Sequence, residues 1–242
     1  VYQYDKFIPG IQENAPVAKD PDGNVILDQN NEPKYMYFAY GKTMEYRFRG
    51  GDAMYEDINK DGSIDELDIV YLGNANPKLN GGFGPTFRYK NFYMKMFFNF
   101  RYGNKIINRA KMLAENMYND DNQSVAVNWR WRVDGDITNM PRALYREGYN
   151  WLGSDRFVED GSFLRFKYLT FNYSIPQKLI KPYYLEKVNF YLTFNNLFVF
   201  TKYSGVDPEI GYGTLTSNRG LSVDGSNTPR TRDFTLGVSI GF

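Results

Sequence analysis

The sequence finishes on Phe234-Thr235-Leu236-Gly237-Val238-Ser239-Ile240-Gly241-Phe242, where every even position is large and apolar and every odd one is Thr, Gly or Ser. A strict period of two is the mark of a β-strand with one greasy face and one bare face. Working back, Val188, Phe190, Leu192 and Phe194 repeat the pattern, and Phe198 and Phe200 continue it. Phe92, Met94, Met96, Phe98, Phe100 and Tyr102 alternate with partners that include Lys95, Asn99 and Arg101. Phe83, Pro85, Phe87 and Tyr89 alternate with Gly, Thr, Arg and Lys. Between Phe163 and Ile175 the phase changes: Leu164 and Phe166 share one parity, Leu169, Phe171, Tyr173 and Ile175 the other. A β-bulge near Lys167-Tyr168 repairs it. The pattern therefore predicts strands over 83–90, 92–102, 163–175, 188–200 and 231–242.

The connections are unequal. Tyr89-Lys90-Asn91 and the stretch Pro176 to Lys187 are short, whereas 103–162 and 201–230 are long. Short turns on one rim and long loops on the other characterise outer-membrane barrels. A soluble sandwich shows the same alternation, so the apolar faces alone leave both readings open. The loop asymmetry, Tyr-rich strand ends and strand lengths near the ~9–11 residues of an oblique membrane crossing favour the membrane. No stretch approaches the ~18 apolar residues of a membrane helix.

Composition removes several function classes. In 242 residues, 29 Lys+Arg against 28 Asp+Glu leave a net charge of +1, which argues against a nucleic-acid binder. There is no Cys and no His, hence no disulfide, thiolate nucleophile, Ser-His-Asp triad or His-ligated metal. The 21 Tyr, 19 Phe and 3 Trp sit in a chain of mean hydropathy -0.56, as expected of strands that alternate apolar with polar. Nothing sets two carboxylates at a glycosidase separation, and Gly81-Gly82-Phe83-Gly84 reads as a turn, not a phosphate cradle. No enzyme is expected. Ile106, Ile107, Ala110, Leu113, Ala114 and Met117 recur at helical spacing, predicting an amphipathic helix in 104–118. Trp129, Arg130, Trp131 and Arg132 suit packing under a long loop, or stacking on a sugar.

Asp57-Ile-Asn59-Lys-Asp61-Gly62-Ser63-Ile64-Asp65-Glu66-Leu67-Asp68 follows the calcium loop of EF-hands. Asp57, Asn59 and Asp61 offer side-chain oxygens at positions one, three and five, Gly62 allows the reversal, Ser63 offers its carbonyl and Asp65 stands at nine. Asp68 replaces the usual Glu at twelve; it is one methylene shorter, which leaves Mg²⁺ in play beside Ca²⁺. A structural ion is the expectation, and a turn held by Asx hydrogen bonds is the alternative.

Gly51-Asp52-Ala-Met-Tyr55-Glu-Asp57-Ile-Asn59-Lys-Asp61-Gly62, Gly73-Asn74-Ala-Asn76-Pro77-Lys78, Tyr89-Lys90-Asn91-Phe92, Gly161-Ser162-Phe163-Leu164-Arg165, Asn195-Asn196-Leu197, Thr201-Lys202-Tyr203-Ser204-Gly205-Val-Asp207-Pro208-Glu209 and terminal Phe242 together resemble the C-terminal part of SusC/RagA-type TonB-dependent transporters. The resemblance runs from about residue 50 to the end. It implies an all-β fold: the last strands of a large antiparallel transmembrane β-barrel, about 22 strands in the full protein, in the outer membrane of a Gram-negative bacterium. It implies TonB-dependent import of oligosaccharides or peptides, a SusD-like surface lipoprotein as partner, and a plug and TonB contact upstream of Val1. Residues 1–80, with the metal loop, and the segments 103–162 and 201–230 would then lie outside the cell. Phe242 would be the signal read by the barrel-assembly machinery. Lys95, Asn99, Arg101 and Thr193 would face the lumen, mainly as polar filler. The competing expectation is a soluble, calcium-stabilised β domain that binds carbohydrate or protein.

Overall fold

The structure, a computed structural model, describes residues 4–7 (backbone only), 16–41, 43–209, 222–226 and 228–242. The chain divides into two compact units, residues 1–72 with 107–159 and residues 73–106 with 160–242. This differs from a division at residue 80. Most of the long 103–162 segment joins the N-terminal segment, because its partners in core packing and hydrogen bonding lie there.

The second unit is a 6-stranded antiparallel sheet. Its strands are β1 (Leu79–Phe83), β2 (Thr86–Tyr89), β3 (Phe92–Tyr102), β4 (Phe163–Ser174), β5 (Lys187–Thr201) and β6 (Asp233–Gly241). The order is β6-β5-β4-β3-β1, with β2 also paired to β3. The sheet is open among the described residues. Register fixes its faces: Phe98 lies opposite Phe166, which lies opposite Phe198, while Lys95, Thr170, Thr193 and Thr235 form a polar row. One face is therefore apolar from edge to edge, and its rings stack, Phe83 on Phe98 at 5.0 Å and Phe98 on Phe166 at 4.4 Å. Among the described residues no second layer covers it: Phe234 and Leu236 are each 70% exposed.

The expected strand 83–90 is in fact two short strands along one edge of β3. Gly84-Pro85 separates them, because Pro85 has no N–H to give the ladder; its carbonyl still accepts Met96 N–H at 3.0 Å. Glycine is required there by close approach, since a Cβ on Gly84 would fall 2.8 Å from the Met96 carbonyl oxygen. In β4 the register shifts between Phe166 and Tyr168 against both neighbours. Lys167 is thus the extra residue against β3, whereas against β5 it faces two residues, Asn196 and Leu197. Short turns join β2 to β3 through Lys90, at φ 51, and β4 to β5 through a helical turn at Gln177–Ile180.

The first unit is built on two small sheets. Tyr37–Tyr40 pairs antiparallel with Thr43–Arg47 and parallel with Ser63–Ile64, and Tyr4–Phe7 pairs with Ala53–Tyr55. Phe38, Tyr46, Phe48, Ala53, Tyr55, Ile64 and Leu152 form its core, with Leu144, Tyr149 and Trp151 packed against them. The expected helix over 104–118 is shorter. Lys105–Asn108 is extended, and only Arg109–Ala114 is helical, started by the Asn108 side chain accepting Lys111 N–H at 3.0 Å. A side chain that caps the helix cannot also lie inside it, so the preceding isoleucines fall outside.

Candidate functional site

Three arrangements carry charge or ligand chemistry. The first is on the polar face of the sheet. Arg165, 4% exposed, pairs with Asp207 and places Nε 2.9 Å from Glu209 Oε2. Lys167 Nζ donates to the same carboxylate at 2.8 and 2.9 Å. Arg230 Nε approaches it at 3.1 Å, and Asn99 Nδ2 reaches it at 3.5 Å. The acidic pair comes from Tyr203–Glu209, the segment that leaves β5. Tyr203 fixes its start, donating from its hydroxyl to Asp224 at 2.5 Å, and Pro208 is fully buried. A cavity of about 240 Å³ beside the cluster is lined by Arg165, Val206, Asp207, Arg230 and Arg232. Of the expected lumen residues, Asn99 joins this cluster. Lys95 and Thr193 lie in the threonine row, and Arg101 stands opposite Phe163.

The second arrangement is a buried ion pair in the first unit. Asp52 is wholly buried and accepts from Arg142 Nε at 2.6 Å, Asn150 Nδ2 at 3.1 Å, Arg49 N–H at 2.9 Å and the Tyr46 hydroxyl at 2.8 Å. Arg142 also donates to Tyr46 Oη at 2.8 Å. Burial and the adjoining Asp52 carboxylate push the Tyr46 phenol well above its ordinary range. Against its own burial, Arg142 is held even more firmly as a cation by Asp52. Every group is satisfied, so this centre fixes structure and leaves nothing for chemistry.

The third is the loop from Asp57 to Asp68. Asp57 accepts from Gly62 N–H at 2.8 Å and Asp61 N–H at 3.2 Å; Asn59 accepts from Asp61 N–H at 3.1 Å; Asp61 accepts from Ser63 N–H at 2.8 Å. Asp68 reaches back to Ile58 N–H at 2.8 Å and Asp65 N–H at 2.9 Å, closing the loop. Gly62 stands at φ 85, which an L side chain resists. The sequence-expected residues therefore come together as one loop, with Asp57, Ser63, Asp65 and Asp68 buried. Their side-chain oxygens are engaged by amides, and no group of three acidic side chains forms a metal cage among the described residues. Phe242, the remaining expected site residue, is 91% exposed beyond the end of β6. Trp131 is buried and Trp129 exposed.

No protein-family model matches the sequence. Curated relatives do. TonB-dependent receptor P3 of Formosa agariphila is 32% identical over 225 residues, which is 92% of this chain and 20% of that protein. Over most of its length the chain is similar to TonB-dependent receptors. Receptor SusC of Bacteroides thetaiotaomicron is 27% identical over 214 residues, 85% of this chain and 19% of SusC. The chain thus spans about a fifth of the length of these receptors. In fold it is similar to a structure of the RagAB peptide transporter, with TM-score 0.65 and 21% identity over 100% of this chain and 22% of that one. These TonB-dependent receptor relatives are receptors and transporters, not enzymes. In sequence, Arg165 and Asp207-Pro208-Glu209 stand in separate motifs that nothing local joins, and Arg142 carries no signal.

Proposed function

We propose that this segment is a stretch of outer-membrane barrel wall, with loops facing the exterior, in a receptor that imports oligosaccharides or peptides by a TonB-dependent mechanism. The observation that carries the reading is the apolar face of the sheet, continuous across β1 to β6 and covered by no other layer. In water such a face is a liability far larger than the scattered apolar residues of an ordinary surface; in acyl chains it is the required wall. The open edges of the sheet need further strands, since lipid leaves no unpaired backbone group solvated. A soluble β domain would need a second layer on that face.

Kinship with SusC and the RagAB fold supports a surface lipoprotein of SusD type as partner. Contact with TonB belongs to the remainder of the receptor. The terminal strand with exposed Phe242 suits recognition by the barrel-assembly machinery. The Asp57–Asp68 loop suits a structural Ca²⁺, or Mg²⁺: the donors are hard oxygens in EF-hand order, held by a loop that Asp68 closes. Ion entry would exchange amide contacts of Asp57, Asn59, Asp61 and Asp68 for coordination, with the Ser63 carbonyl and Asp65 completing the set.

Fractionation tests the main reading. The full-length receptor should stay with outer membranes through high salt and alkaline carbonate and leave only in detergent. Release by salt alone would sink it.

A further inference from the structure

The cluster on the polar face joins wall to loop by charge. We propose that Tyr203–Glu209 is a releasable strap across the inner face of the barrel wall, clasped by Arg165 and Lys167 of β4 through Asp207 and Glu209. The proposal rests on the reading that the polar face is the barrel interior.

Four features carry it. Arg165 and Lys167 lie on β4, and Lys167 is bulged out of the pairing with β3, so no β3 residue stands opposite it and its ammonium reaches Glu209 at 2.8 Å. Glu209 also takes Arg230 at 3.1 Å, so the outgoing and returning legs of the 201–230 segment meet on one carboxylate. The strap's middle is not packed: Val206 is 63% exposed. Its buried anchors, Tyr203 and Pro208, stand on either side of that middle, and the carboxylates of Asp207 and Glu209 tie its end to β4 by charge. Loss of either carboxylate's charge leaves buried Arg165 without part of its compensation, a state that strongly favours opening over staying clasped. An anionic group moving along the inner face would compete for the same cations.

Distance measurement tests this in the full-length receptor in outer-membrane vesicles, with nitroxides on cysteines placed at exposed Val206 and Lys187. The unsubstituted clasp should give a main distance and a minor longer one. Asp207→Asn with Glu209→Gln should raise the longer population several-fold. Lys167→Met serves if the double variant fails to assemble, and should also raise the longer population. An unchanged distribution in the neutralised variants, with receptor present in the vesicles, overturns the strap and leaves the outer-membrane reading standing. A receptor that never reaches the outer membrane overturns that reading instead.

Discussion

Arg142 Nε lies 2.6 Å from Asp52 Oδ1, although 90 positions separate them in the chain. The pair is buried on both sides and is completed by Tyr46 and Asn150. Removing one partner leaves a buried charge uncompensated, which costs ~3–5 kcal/mol. Arg142→Leu and Asp52→Leu should each make 107–159 hypersensitive to protease in the full-length receptor. The doubly apolar exchange Arg142→Leu with Asp52→Leu should be less damaging than their sum. Additive loss would show that the pair is not coupled.

The two faces of β6 should respond oppositely to arginine. Leu236→Arg, on the apolar face, should cost ~2–4 kcal/mol near the bilayer midplane and lower the amount of heat-modifiable, assembled receptor. Thr235→Arg, on the polar row, should assemble near normally. Equal effects would mean the faces are not lipid and lumen.

Tyr191 lies over Gly237, so closely that a Cβ there would fall 2.1 Å from the ring's Cζ. Gly237→Ala should displace the ring at a cost of ~1–3 kcal/mol. Adding Tyr191→Ser should recover most of it, read as the temperature at which the receptor loses its folded gel mobility.

If the Asp57–Asp68 loop takes calcium, chelator should lower the melting temperature of the receptor and added Ca²⁺ restore it. Asp57→Asn should abolish that response while Asp20→Asn, in a separate surface turn, leaves it intact. Identical melting with and without chelator would return the loop to a purely hydrogen-bonded turn.

Alkali should loosen the first unit. The Tyr149 phenol is pushed up to about 12, first by its hydrogen bond to Glu45 and then by burial. A folded value above the ordinary ~10 means the stabilisation is complete below pH ~10 and is lost as pH rises through the folded value. Protease sensitivity of 107–159 should climb across that window, and Tyr149→Phe should flatten the climb.

What was legible in the sequence was what is local. Period-two alternation marks β3, β5 and β6 because each strand carries its own face, and the phase change at Lys167 betrays the bulge without any partner. Pro85 escaped because it sits at the apolar parity, where its missing donor does not show. Ile106 and Ile107 fit helical spacing equally well as the extended segment they form. The Asp57–Asp68 loop is readable because its polar residues lie within a few positions of one another. The clasp is not, since Lys167 and Glu209 are 42 positions apart and only the fold brings them together.

The division of the chain also dictates an order of events. Asp52 precedes Arg142 by 90 positions in the chain, and the intervening residues 73–106 belong to the other unit. Until the later segment arrives, the carboxylate has no cation to enclose, and the aromatic residues around it lack Leu152 and Tyr149. Completion of the first unit is therefore a late, high-contact-order step.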